Sequence, residues 1–170
     1  DVSRDWRVVE IAVAVPRTLT ISEAKTFLPD ADIVWREDPE GDRYAQVEAI
    51  MRTAAEQGVA GLGGSRPVRL SITVTRFHAL TFEAETRLSR SGVHNVDFVG
   101  QIADANSGDV LAGPEAIEAA FPALAGVEMA AARARGESQK SQITAHVAKT
   151  IAGWLGAGPD IRTNFSRLGG

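Results

Sequence analysis

The chain has no cysteine, which removes disulfides, thiol nucleophiles and thiolate metal sites from consideration. Lysine is scarce too: Lys25, Lys140 and Lys149 are the only three, and arginine supplies the remaining basic charge. With a formal net charge of −4 and a pI near 5.4, the chain lacks the basic footprint of a phosphate-backbone binder, so nucleic acid is not an expected partner. No apolar run approaches the ~18 residues that a spanning helix needs. Hydrophobic residues make up 44% and charged residues 24%, a balance that argues against disorder. The length of 170 residues suits one domain, large enough to bury roughly 70% of its unfolded surface without staples.

Pattern along the chain divides it into strands and helices. Trp6 to Val15 is apolar on both faces and reads as a central strand, closed by Pro16. Glu23 to Phe27 reads as a helical turn, and Ala31 to Trp35 as a short strand. Asp38-Pro39-Glu40-Gly41-Asp42 is a turn that starts a helix, with Asp42 as N-cap. That helix, from Arg43 to Gln57, puts Tyr44, Val47, Ile50, Met51 and Ala54 on one stripe, and Gly58 is expected to end it. From Pro67, the residues Val68, Leu70, Ile72 and Val74 alternate with Arg69, Ser71, Thr73 and Thr75, as in a strand with one wet face. The same parity extends through Arg76, His78, Leu80 and Phe82; after a turn at Ser89 to Gly92, a return strand carries His94, Val96, Phe98 and Ile102. Asn106 to Asp109 is a second hairpin turn, leading into Val110 to Ala112. Pro114 to Arg135 is Ala-rich and reads as two short helices interrupted by Pro122 and Gly126. A final helix from about Ser138 to Leu155 aligns Ile143, Val147, Ile151 and Trp154. The expectation is an α+β fold, a mostly antiparallel sheet with helices packed on one face. It forms a single globular domain over residues 1–159, with a loose tail over 160–170.

Chemistry is thinly signalled. His78 and His94 share the parity of the apolar residues in their strands, which would put both imidazoles on one sheet face. Such a pair could serve as a general acid and base or as half of a metal site. The default alternative is that each ring is a hydrogen-bonded structural histidine, since no third ligand stands at a suitable spacing. His146 sits at the border of its helix's apolar stripe and reads as structural. The acidic run Asp30, Asp32, Glu37, Asp38, Glu40 and Asp42 lacks the ordered spacing of a calcium loop. Gly58 to Gly64 follows a helix and precedes a strand, the reverse of a phosphate-cradling loop. No Gly-x-Ser-x-Gly elbow surrounds Ser65. Trp6, Trp35 and Trp154 are assigned to packing, and Arg76 to a pairing with Asp97 or Glu83. No catalytic residue beyond the candidates His78 and His94, no cofactor and no metal ligand is assigned.

Three strings are distinctive: Asp32-Ile33-Val34-Trp35-Arg36 running into Asp38-Pro39-Glu40-Gly41-Asp42-Arg43, Arg76-Phe77-His78-Ala79-Leu80-Thr81, and Gly92-Val93-His94-Asn95-Val96-Asp97-Phe98. In this order they resemble an uncharacterised family of small alphaproteobacterial lipoproteins, a domain of unknown function, over roughly Trp6 to Leu155. The resemblance implies export, lipidation on a cysteine upstream of Asp1, and a periplasm-facing domain held on the outer membrane by that N-terminal anchor. The start at Asp1, without an initiator Met, is compatible with removal of such a leader. The family brings no assigned activity or site residues. The element order is also similar to periplasmic modules of outer-membrane lipoproteins, such as those of the curli secretion channel and the penicillin-binding-protein activators. The expectation is a non-enzymatic domain that acts through protein contact, with an envelope protein or by self-association, as an accessory or assembly component. The alternative is a small-ligand binder or hydrolase-like enzyme using His78 and His94.

Overall fold

Alternation of side chains builds a five-stranded sheet, which the computed structural model describes together with its helices over residues 2–25, 29–87 and 92–162. The strands are β1 (Trp6–Ala14), β2 (Ile33–Val34), β3 (Arg66–His78), β4 (Gly92–Asp104) and β5 (Val110–Ala123). They are ordered β1-β3-β4-β5, with β2 beside the far end of β3. β1 and β2 run parallel to β3, whereas β3, β4 and β5 form an antiparallel meander. The sheet is therefore mixed, within an α+β architecture. The β4–β5 turn is closed by Asp104, whose carboxylate accepts from the amides of Asn106 and Ser107 at 2.9 and 2.8 Å. Those bonds and Arg66 bring the Asp104 pKa down to about 2.

Four α-helices among the described residues follow local signals: α1 (Arg43–Val59), α2 (Phe82–Arg87), α3 (Gly126–Ala134) and α4 (Gln139–Trp154). Asp42 caps α1 by accepting from the Ala45 amide, and Ser138 with Ser141 forms a capping box on α4. α1 and α4 lie together on one face of the sheet. Val47, Ile50 and Met51 of α1 join Ile143, Val147 and Ile151 of α4 over Leu70, Ile72, Val96, Phe98 and Ile102. Gly58 does not end α1. It lies within the last turn, where a Cβ would come within 2.9 Å of the Ala148 carbonyl oxygen, so the missing side chain admits α4. Gly100 does the same for Trp154, whose ring would be 2.8 Å from an added Cβ.

Three expectations are corrected. β1 is an edge strand, not a central one; its apolar outward residues, such as Val9 at 53% exposure, reach solvent. The Ala-rich stretch after Pro114 continues as β5 to Ala123 before α3 begins. Its alanines favour a helix, but Ile117 and Ala119 pack into the core at strand spacing, and an edge position tolerates Pro114 and Pro122 without a ladder amide. Finally, β3 stops at His78, and Thr81 accepts from the Ala84 amide at the start of α2 where strand was expected. The expected helical turn at Glu23 to Phe27 extends into 26–28, and the turn at Ser89 to Gly92 begins in 88–91, both outside the described residues. Of the tail, only 160–162 are described, and there Arg162 bonds both Asp160 and Glu115 of β5.

Candidate functional site

The two histidines singled out by the sequence are separated by the sheet. A register shift between Val74 and Arg76 leaves Thr75 as an extra residue in β3. Phe77, not His78, consequently joins the core face, opposite Val96. His78 pairs with Asn95 and so points to the opposite face, whereas His94 points into the core. His78 Nε2 bonds the Ala31 carbonyl. His94 is 0% exposed, its Nδ1 accepts from the Leu80 amide at 3.3 Å, and its ring lies 5.2 Å from Phe121, which stacks on His146 at 4.4 Å. The neutral tautomer then carries its proton on Nε2, which has no partner among the described residues. Burial lowers the His94 pKa to about 4 and also lowers those of His78 and His146. The rings of His78 and His94 do not converge on a shared pocket.

The acidic run is likewise dispersed into structural duties. Asp32 exchanges hydrogen bonds with Thr20, and Asp42 caps α1 and bonds Arg17. Asp38 accepts from the Trp35 indole at 2.7 Å and from Lys140. Glu37 closes the N-terminus of α4, accepting from the Gln139 and Lys140 amides at 2.8 Å each, where the helix dipole favours negative charge. Arg133 of α3 bridges Glu37 and Glu85, and the buried Gln139 side chain donates to Glu85 at 2.6 Å. Sequence reasoning missed this network, because its members are up to 103 positions apart. Among the described residues, no group of three or more histidine and carboxylate side chains could hold a metal ion.

What remains is the other side of the sheet. α1 and α4 cover one face; the second face carries no helix among the described residues. Pairing register places Ala14, Thr73, Val99 and Ala116 in one row across β1, β3, β4 and β5. The neighbouring row holds Ala12, Ser71 and Gln101. These side chains are uncharged and, Gln101 apart, short, and Ala12, Ala14, Thr73 and Ala116 are exposed. Charged rows flank them. On one side Arg69 bonds Glu10 at 2.9 Å; on the other Arg76, Asp97 and Glu118 stand in line across β3, β4 and β5. A hollow of about 350 Å³ opens here, lined by Thr75, Asp97, Val99, Ala116 and Glu118. Arg76 and Asp97 are neighbours, yet the expected ion pair between them, or between Arg76 and Glu83, is not formed, and Asp97 Oδ1 has no hydrogen-bond partner among the described residues. Burial, then the facing Glu118, raises the Asp97 pKa, and Arg76 opposes that shift. A larger concavity of about 620 Å³ lies between α1 and α4, but its rim charges Asp38 and Lys140 satisfy one another.

The three tryptophans serve packing: Trp35 is sealed edge-on against Phe77, Trp6 is buried, and Trp154 lies over Gly100 with its indole N–H on Glu115. No helix among the described residues is long and apolar enough to cross a membrane.

Comparison with known proteins gives a family and no activity. Among solved structures, the chain is similar to protein XCC0632 of Xanthomonas campestris, assigned to the family DUF330, at TM-score 0.47 and 13% identity, covering 96% of this chain and 88% of that one. A candidate lipoprotein of Caulobacter crescentus matches at TM-score 0.32 and 15% identity, over 64% and 83% of the two chains. The PelC dodecamer of Paraburkholderia phytofirmans matches at TM-score 0.37 and 17% identity, over 88% and 86%. Such scores are too low to carry a function across. No curated protein matches. A family model matches residues 6–170, and the chain belongs to that family, a family of unknown function designated DUF6778.

Proposed function

We propose that this chain is a non-enzymatic, periplasm-facing lipoprotein domain that works through protein–protein contact, as an accessory or assembly component of a cell-envelope complex. The observation that carries the contact reading is the sheet face that no helix covers among the described residues. An exposed sheet surface usually alternates to long charged side chains. Here its middle is a strip of Ala, Ser, Thr and Val crossing all four long strands. Short side chains lose little rotamer freedom on being covered, and a flat strip lets another backbone approach closely. The envelope placement rests on the three sequence strings and the lipoprotein resemblance they carry.

The test is crosslinking of the full-length protein in its native membrane, followed by affinity capture, with wild type compared to a T73R/V99R variant. Specific crosslinked envelope proteins are expected with wild type and are expected to disappear with the variant. Equal capture by both would refute the contact face.

A further inference from the structure

The uncovered face is electrically two-sided, and its halves complement one another. On β1 and β3 it carries Arg7, Arg69 and Arg76 against Glu10 and, next to β2, Asp32, which lies within electrostatic reach of Arg76, whereas β4 and β5 contribute only the acids Asp97 and Glu118. The positive half thus lies beside the negative half, with the boundary running between β3 and β4. A twofold axis parallel to the strands along that boundary swaps the halves while keeping every row in place. Isologous contacts of this kind demand a self-complementary surface.

We propose that the partner covering this face is a second copy of the chain, packed sheet to sheet about a twofold axis between β3 and β4. The proposal rests on the contact reading above and commits it to one occupant. In this arrangement Arg76 faces Asp97 of the second copy, and Asp97 faces its Arg76. Arg76 and Asp97, which form no ion pair with each other, are thereby each paired across the twofold. Thr73 meets Val99 of the second copy, and Ala14 meets its Ala116, so this row closes without a long side chain in the way. Four strands at ~4.8 Å spacing and about ten residues of length give roughly 600 Å² per copy. Two copies would bury about 1,200 Å², the lower bound of specific stable interfaces. Aligned sheet packing of this type is a standard sandwich geometry.

The twofold predicts a charge-exchange result that no single-chain role of Arg76 or Asp97 produces. R76D and D97R are each purified, verified as folded by circular dichroism and thermal melting, and measured by sedimentation alone and as an equal mixture. Wild type is expected to be a dimer. Each variant alone places like charges opposite one another twice and should dimerise at least about tenfold more weakly. The mixture should recover the dimer. In the mixed pair the acid introduced at position 76 faces the base introduced at position 97, and the unaltered Asp97 of the first variant faces the unaltered Arg76 of the second. A wild type that stays monomeric at about 0.5 mM overturns the proposal. So does a mixture no better associated than its components. If wild type is monomeric but the native-membrane crosslinking still captures an envelope protein through this face, self-association falls and the contact reading stands.

Discussion

Glu37 and Arg133 meet at 3.0 Å across 96 positions of sequence, and their contact ties the entry of α1 to α3 and to the first turn of α4. The same carboxylate accepts from two α4 amides, so one side chain satisfies two helix-terminal donors and one guanidinium. Neither concavity is built on this cluster's charges, and its acids and bases are already bonded to one another. It holds the helices over the sheet.

Replacing Glu37 with Ala therefore removes a cap and leaves a partly buried cation short of a partner. Loss of about 2 kcal/mol of folding stability is expected, read from urea unfolding. A change below about 0.5 kcal/mol, the scale of a neutral surface substitution, would mean that the network is dispensable.

His94 makes stability depend on pH in a defined window. Its folded pKa of about 4 lies below the unfolded value of 6.5, so the unfolded chain takes up a proton that the native chain refuses. Stability from this residue is present above pH 6.5 and is lost as pH falls from there towards 4, by up to about 3 kcal/mol. His78 and His146, also lowered by burial, act in the same direction, and Asp97, raised, in the opposite one. The Asp104 carboxylate, lowered from 3.8 to about 2, adds its own loss mainly below pH 3.8, as the unfolded carboxyl protonates. Denaturant titrations at about pH 7 and about pH 4.5, either side of the unfolded histidine value, should show the decline in wild type and a shallower one in His94→Gln. Identical slopes in the two proteins would contradict the buried neutral ring.

Gly100→Val should cost about 1–3 kcal/mol, because the new side chain must displace the Trp154 ring from its seat on β4. Loss of the Trp154–Glu115 hydrogen bond should accompany it, and indole fluorescence in the variant should report a wetter ring. An unchanged melting temperature would place Trp154 elsewhere.

The two long helices and the antiparallel strands β3 and β4 were legible in the sequence because their signals are local. Asp42 and Ser138 are capping residues at the right distance from an apolar stripe, and the Val68-Leu70-Ile72-Val74 alternation needs no tertiary context. The site was much less legible. A single bulged residue, Thr75, reverses the facing of everything after it, so the parity that pairs His78 with His94 on paper places them on opposite sides of a sheet. Nothing in the identity of a threonine announces that. β5 was hidden because five of its residues are alanine, the strongest helix former, and edge strands relax the rule that excludes proline. The uncovered face became visible only with the strand order, since β1 looks as apolar as a central strand yet lies at the edge.

A core substitution and a face substitution should behave in opposite ways. Phe98→Ala opens a cavity between the sheet and α4 and is expected to cost about 3–5 kcal/mol. T73R, one residue pair away on the other face, should leave monomer stability within about 0.5 kcal/mol. Urea unfolding of the two variants, at concentrations below self-association, checks the contrast. Comparable losses in both would mean that something covers the second face within the chain itself.

The most direct test of the account is a positional comparison in the native membrane. A photoreactive side chain is placed in turn at Ala12, Thr73, Val99 and Ala116 on the open face, and at Glu56 and Lys149 on the exposed surfaces of α1 and α4. Crosslinks to a protein, whether a second copy or another envelope component, are predicted from the four sheet positions and not from the two helix positions. Crosslinks confined to the helices, or absent from all six, would contradict the claim that this chain works through the bare side of its sheet.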